Sequence, residues 1–182
     1  MTPIKIDIRR YQLDDASGLY EAARESIADI YPWMKWCHPD YSIEDSRSWV
    51  PLTVADWESG VAYDFVVYDC DTGRFLGAVG INQISHVHGF ANLGYWIRSS
   101  AAGRGLAPQA VRLCARFGFE ELKLQRIEIV AAVGNTRSQR VAEKAGATRE
   151  GVLRHRLNID GTWHDAVMFS LLPGDLTQTM QV

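Results

Sequence analysis

Alternating apolar and polar side chains begin the chain, and residues 4–9 therefore predict a half-buried strand. From Asp14 or Asp15 onward, apolar residues recur every three or four positions. This spacing gives a helix one apolar face and predicts a helix that ends before Pro32.

A second helix is predicted from Ser42, because Ser42 and Asp45 have the spacing of a capping box. Pro51 is expected to split or kink this helix. Later strands are predicted over 61–70, 74–84, 90–97, 126–133, 148–157 and 162–172, and later helices over 107–119 and 136–145. The boundary signals are Gly60, the N-cap Asn135, the C′ glycine Gly146, the hairpin turn Asp160-Gly161 and a loose tail after Pro173.

The predicted order is β-α-α-β-β-β-α-β-α-β-β, which favours a mixed α/β or α+β sheet. The chain has 182 residues, so we expect one domain over 1–182 with its core at about 4–172. The net charge of -3 and the absence of a basic stripe argue against direct nucleic-acid binding.

Three further classes of protein are disfavoured by the composition. Charged residues interrupt any secretory leader, and no apolar run approaches the ~20 residues of a membrane helix. Cys37, Cys70 and Cys114 lack zinc-ligand spacing, so no metal site is expected. These features predict a cytoplasmic protein with reduced thiols.

The candidate chemistry lies between the strand 90–97 and the helix that follows it. Gly103 and Gly105 allow a loop that turns its N–H groups toward a ligand, and the helix N-terminus adds a positive dipole. With Arg98 and Arg104, the loop predicts a pyrophosphate cradle. The alternative is an ordinary strand-to-helix turn with solvated arginines. The loop is neither a Walker loop nor a complete G-x-G-x-x-G fingerprint.

The pattern Arg98-x-x-x-x-Gly103-Arg104-Gly105-Leu106-Ala107 resembles the acetyl-CoA signature of the GNAT superfamily of N-acetyltransferases. Leu93-Gly94-Tyr95-Trp96-Ile97 and Gly134-Asn135-Thr136-Arg137-Ser138 are similar to segments of its RimJ/RimL branch, the ribosomal-protein N-terminal acetyltransferases. The resemblance covers about residues 4–172 and is strongest over 92–150.

The resemblance implies a GNAT fold of the α+β (mixed α/β) class. Its sheet is mixed and mostly antiparallel, about four helices flank it, and its fourth and fifth strands splay apart around the cofactor. The implied reaction is direct transfer of acetyl from acetyl-CoA to a primary amine, without metal or covalent enzyme intermediate. The amine belongs to a protein N-terminus or to a small molecule, and relatives are often homodimers.

The resemblance also implies a set of cofactor contacts. Main-chain groups of the central strand should pair with the pantetheine arm, and the loop should hold the pyrophosphate. The implied cofactor-binding residues are Tyr95, Trp96, Ile97, Arg98, Gly103, Arg104, Gly105, Leu106, Ala107, Asn135 and Ser138. Asn135 is also explained as a helix cap, and one of Tyr95 and Trp96 as a core aromatic.

Two catalytic residues are implied. Ser138 should lie near the sulfur and stabilise the departing thiolate by hydrogen bonding. The alternative is that Ser138 is an ordinary residue of the first turn of a helix, where a hydroxyl is common. Asn92 stands where many relatives carry a glutamate base, and it can orient water or substrate but cannot take the proton. The histidines are the other candidate bases: His38, His86, His88 and His164.

An aromatic segment is the candidate acceptor wall. Trp33, Trp36, His38 and Tyr41 can contact a cationic amine, or they can pack beneath a loop. Three rival functions stay open: acetylation of a small amine such as an amino acid, polyamine or antibiotic, a non-catalytic CoA-binding module, and ATP binding by the glycine loop.

Overall fold

The computed structural model describes residues 4–176. Its elements are β1 (Ile6–Arg10), α1 (Ala16–Ile30), α2 (Ile43–Ser59), β2 (Tyr63–Asp69), β3 (Phe75–Ser85), β4 (Phe90–Ile97), α3 (Leu106–Glu120), β5 (Arg126–Ala132), α4 (Thr136–Lys144), β6 (Thr148–Ile159) and β7 (Thr162–Leu171). The predicted order is confirmed, and the bounds differ from the predicted ones by a few residues at most.

The strands form one seven-stranded sheet in the order β1-β2-β3-β4-β5-β7-β6. Every pairing is antiparallel except that of β4 with β5. This parallel pairing ends at Asn92↔Glu128, after three residue pairs. Beyond that point β4 and β5 separate, which is the splay that the resemblance implies.

Side chains alternate between the two faces of the sheet. On one face α3 covers a core that includes Phe65, Val79 and Ile127. On the other face α1 and α2 cover β2 and β3, and Val66 and Phe75 are buried there. The cleft left by the splay therefore has a separate helical layer on each side.

Local signals placed most of the boundaries. Ser42 accepts a hydrogen bond from the N–H of Asp45, so the predicted capping box is confirmed. Gly60 ends α2 at φ 71°, and Asp160 and Gly161 adopt positive φ angles of 55° and 77° in the β6–β7 turn. Glycine and aspartate are favoured at such positions because they tolerate the left-handed region.

Two expectations about element ends are corrected. Of the two outcomes expected at Pro51, the split is excluded, because α2 continues unbroken to Ser59, and the kink stays a prediction. The carbonyl of Arg47 loses its usual donor, but Pro51 and Arg47 both lie on the exposed face, where water can satisfy that carbonyl. Pro173–Leu176 forms a short 3₁₀ helix rather than a loose tail, and the remainder of the predicted tail lies outside the described residues. Within 4–176, no helix combines the length and apolarity that a membrane crossing needs.

Candidate active site

A cleft of about 810 Å³ opens where β4 and β5 separate. Its walls are the end of α1 with the following residues to Met34, the end of β4, the loop before α3, and residues from Gly134 through α4. A cleft of this size suits a cofactor or drug-sized ligand. The structure therefore brings together the three segments that the sequence singled out separately.

The loop before α3 forms the predicted cradle. Gly103 and Gly105 have φ angles of 77° and 75°, which favour glycine. No atom lies within 4 Å of the position a Cβ would take at either residue, so the loop backbone is open on that side. Leu106 is buried and anchors the loop, and the first turn of α3 contains no acidic residue. The free N–H groups there suit a phosphate.

Arg98 is not part of this cradle. Its guanidinium is buried, and its Nε donates to Glu25 Oε1 at 2.9 Å while Nη1 donates to the Phe75 carbonyl at 2.9 Å. The hydrogen bonds from Arg98, then those from Ser100, hold the pKa of the Glu25 carboxyl at about 2. Arg98 therefore fastens the loop to α1, and the expectation that its charge faces the phosphates is corrected.

The positive charges at the cleft come mainly from α4. Arg104 is exposed and lies outside the cleft lining, whereas Arg140 and Lys144 are part of it. Arg137 also lines the cleft, but its guanidinium is paired with Asp29 at 2.6 Å. The sequence signal for the α4 cations was a helix with positive residues four apart, which is too common to indicate a site.

The edge of β4 presents main-chain groups to the cleft. The N–H of Arg98 donates to the Leu76 carbonyl at 2.8 Å, so this residue directs its N–H toward β3. Alternate residues of an antiparallel strand face the same neighbour. The N–H and C=O groups of Tyr95 and Ile97 therefore point away from β3 and into the cleft, as strand-like pairing with a ligand requires.

Two hydroxyl groups meet beside this edge. The Tyr95 hydroxyl donates to the Ser138 carbonyl at 2.8 Å and lies 3.0 Å from Ser138 Oγ. Burial raises the pKa of Tyr95 to about 12, so the phenol stays protonated. Asn135 positions Ser138 by accepting its N–H at 3.1 Å, which confirms Asn135 as the N-cap of α4. The pairing of Tyr95 with Ser138 was missed because 43 residues separate them.

Asn92 is placed elsewhere. Its amide nitrogen donates to Asn82 Oδ1 at 2.9 Å across the β3–β4 pair, and it does not line the cleft. The amide is therefore held in a cross-strand hydrogen bond, and its role in orienting water or substrate stays a prediction.

The four predicted aromatics separate into two groups. Trp33 lines the cleft and would lie 3.4 Å from a Cβ on Gly134, so its ring bridges toward the β5–α4 turn. Tyr41 is buried with its hydroxyl 2.9 Å from Ser46 Oγ, and Trp36 and His38 pack against the Tyr41 ring. Of these three only Tyr41 is buried. Trp36 is exposed and its ring centroid lies 5.5 Å from that of Trp96, which lines the cleft, so the acceptor wall stays a prediction.

A split sheet whose cleft ends in a glycine loop at a helix N-terminus defines the class of CoA-dependent acyltransferases that the resemblance implies. A profile of the family described as "Acetyltransferase (GNAT) domain" matches residues 5–148. The chain belongs to this family, and it is an N-acetyltransferase that uses acetyl-CoA.

Individual relatives agree with this assignment. The "Putative ribosomal N-acetyltransferase YdaF" of Bacillus subtilis is 31% identical over 92% of this chain and 91% of its own length. The "Ribosomal-protein-serine acetyltransferase" of Escherichia coli is 26% identical over 84% of each chain. The structure of Mycobacterium smegmatis RimJ in complex with CoA-disulfide has a TM-score of 0.85 and 25% identity, covering 96% of this chain and 88% of that one.

Proposed function

We propose that this protein acetylates the free α-amine of a protein N-terminus, in one direct transfer from acetyl-CoA. The names of two relatives, a ribosomal N-acetyltransferase and a ribosomal-protein-serine acetyltransferase, support a protein acceptor. The cosubstrate supplies an activated acetyl group as its thioester. The residues of this chain would hold the cosubstrate, polarise the thioester carbonyl and donate a proton to the departing sulfur.

The residues of the cleft suit each part of the cosubstrate. The loop at Gly103 and Gly105, followed by the N–H groups of Leu106 and Ala107, would hold the pyrophosphate. Arg140 and Lys144 would add charge to phosphate recognition. The main-chain groups of Tyr95 and Ile97 would pair with the pantetheine arm as an added strand does. An N–H on this edge would also polarise the thioester carbonyl.

The observation that carries the chemistry is the hydroxyl pair of Tyr95 and Ser138 at the open edge of β4. The departing sulfur becomes a thiolate, which is stabilised by a nearby proton donor. The Tyr95 phenol remains protonated at neutral pH and donates to the Ser138 carbonyl, so it holds Ser138 at the edge of the cleft. The Ser138 hydroxyl would then donate to the sulfur.

The acceptor would approach between the segment after α1 and the β6–β7 hairpin. Lys35 Nζ lies 3.9 Å from Asp160 at the hairpin tip, so these two segments close one end of the approach. Trp33 forms its apolar side next to Gly134. A peptide N-terminus would enter between these segments, and its remaining residues would extend over the hairpin.

An acceptor panel tests this proposal by mass spectrometry. It contains a short peptide with a free serine N-terminus, the same peptide with a blocked N-terminus and one lysine, and spermidine. We expect acetylation of the free N-terminus and little of the lysine side chain. Transfer to spermidine alone would show that a small amine is the acceptor. Stability measurements with acetyl-CoA, CoA and ATP provide the binding control, because only ligands of the folded state should stabilise it.

A further inference from the structure

Asp64 on β2 is a carboxylate that the chemistry above leaves unused. Tyr63 and Phe65 point to the α3 face, and Val66 is buried on the face covered by α1 and α2, so alternation places Asp64 on the latter face. Within 4–176, no hydrogen bond or ion pair joins the Asp64 carboxylate to another group. Every fully enclosed polar side-chain atom in that range has a partner, so solvent must reach the Asp64 oxygens.

Two glycines continue the line of Asp64 across the sheet. Asp64 is paired with Gly80 on β3, and Gly80 with Gly94 on β4. Asp64 Oδ1 lies only 2.0 Å from the position that a Cβ on Gly80 would take, so the carboxylate leans over Gly80 toward β4. No atom lies within 4 Å of the Cβ position of Gly94. A recess one side chain deep therefore extends from Asp64 over both glycines.

The recess runs toward the open edge of β4, and Tyr95, the residue after Gly94, lines the cleft. The β4–β5 pairing stops at Asn92, so no strand lies beside Gly94 on its far side. The next residue, Tyr95, directs its main-chain groups into the cleft where the thioester is expected. Two strand spacings, about 10 Å, separate Gly80 from the middle of the opening between β4 and β5. A hydrogen-bonded sequence of carboxylate oxygen, water and amine nitrogen spans about 6 Å, which is shorter than this interval.

The charges around Asp64 favour proton uptake. Burial, aided by the charge of Asp56 on α2, raises the pKa of Asp64 to about 6. Tyr11 before α1 and Cys114 on α3 lie within its electrostatic reach, and burial raises the pKa of both, so they are uncharged at neutral pH. Glu128, which lies nearer the end of the β4–β5 pairing, is already ion-paired with Arg126 at 2.9 Å.

We propose that Asp64 is the proton acceptor for the amine, acting through one water in the glycine-floored recess. The ammonium N–H bond breaks as an O–H bond forms on water, and the water passes its own proton to the carboxylate. The freed nitrogen lone pair forms the bond to the thioester carbon, the C–S bond breaks, and the sulfur leaves with that electron pair. A second proton leaves the nitrogen as the amide forms, and it neutralises the thiolate. Asp64 then releases its proton to solvent. This inference rests on the proposed N-acetyltransferase function.

The test measures kcat/KM against pH for the wild type and for Asp64→Asn, with the free-N-terminal peptide as acceptor. Proton transfer by a positioned side chain contributes typically 10²–10⁴-fold, so we expect a loss of at least about 100-fold at neutral pH. The loss should lie mainly in kcat, and the acidic limb near pH 6 should disappear. Asp71→Asn is the control, because it removes the same charge at an exposed turn. The affinity for acetyl-CoA should not change.

Two further variants separate proton transfer from packing. Asp64→Ala should regain part of its rate when sodium formate is added, since formate replaces the missing carboxylate. Gly94→Val should fold, because its Cβ position is open, and should lose turnover by filling the recess while acetyl-CoA still binds.

Three results would overturn the inference. They are an unchanged pH limb in Asp64→Asn, an effect confined to KM, and near-normal turnover by Gly94→Val. If the wild type accepts spermidine but not the peptide, the proposed acceptor is wrong and the same comparison is made with spermidine. If the wild type acetylates no amine in the panel, both the proposed function and the proposed role of Asp64 are wrong.

Discussion

Replacing Asp64 with asparagine should stabilise the folded protein above pH 6. The pKa of Asp64 rises from 3.8 to about 6 in the folded state, so folding disfavours its ionised form by about 3 kcal/mol at 1.36 kcal/mol per tenfold change. For an acid with a raised pKa, this penalty is absent below pH 4, grows as the pH rises, and is complete above pH 6. The asparagine variant avoids it, although its amide stays half-buried without a partner, which costs about 1 kcal/mol.

The net gain should therefore be about 2 kcal/mol at pH 8, which is roughly 4–8 °C in Tm for a domain of this size. The assay is thermal or urea unfolding of both proteins from pH 4 to pH 8 without acetyl-CoA. At pH 4 the carboxyl is largely neutral and only the cost of the amide remains, so the variant should be about 1 kcal/mol less stable there. Asp71→Asn should show no such pH-dependent difference. If Asp64→Asn is less stable at pH 8, or if the difference is the same at both ends of the range, the carboxylate has a favourable partner and the reasoning fails.

Three more predictions concern the cleft. Gly105→Glu should abolish stabilisation by acetyl-CoA, about 2.7 kcal/mol at 100 times Kd, whereas Gly105→Ala adds only backbone strain and should bind weakly; equal stabilisation of all three proteins would exclude the cradle. Ser138→Ala should lower kcat by about tenfold or more with little change in acetyl-CoA affinity, and Tyr95→Phe should lower kcat by a smaller factor. Full kcat in Ser138→Ala would show that Ser138 has only a structural role at the start of α4. Glu25→Gln should lower the free energy of unfolding by roughly 2 kcal/mol at pH 7, since Arg98 loses its charged partner. This deficit should shrink as the pH falls from 4.5 toward 2. A pH-independent deficit in denaturation curves would exclude the ion pair as its cause.

Local signals explain why the fold could be predicted. The capping box at Ser42, the Asp160-Gly161 turn and the helix cap at Asn135 each depend on residues a few positions apart. Such contacts form largely independently of the rest of the chain, and they fixed most element ends. Pro51 was the exception, because the cost of a lost helical hydrogen bond depends on whether water reaches the carbonyl, and exposure is a tertiary property.

The site was predicted best where it depends on main-chain conformation. Gly103 and Gly105 were identified because a positive φ angle requires particular residue types. The direction of the Arg98 side chain could not be predicted, since its partner Glu25 lies 73 residues earlier. The contact of Tyr95 with Ser138 and the position of Asp64 over Gly80 also depend on which strands pair. An isolated aspartate in a strand gives no signal of its own.

The separation of β4 from β5 gives the sheet a third edge, inside the molecule, in addition to the outer edges at β1 and β6. An unpaired edge is normally a template on which other chains aggregate. Here α4 and Trp33 line the opening, so only something as thin as a single extended chain can reach the free N–H and C=O groups. A strand of another protein arrives with its own sheet and cannot enter. The protein can therefore keep a strand edge permanently open for a slender ligand without the association hazard that such an edge carries on a surface.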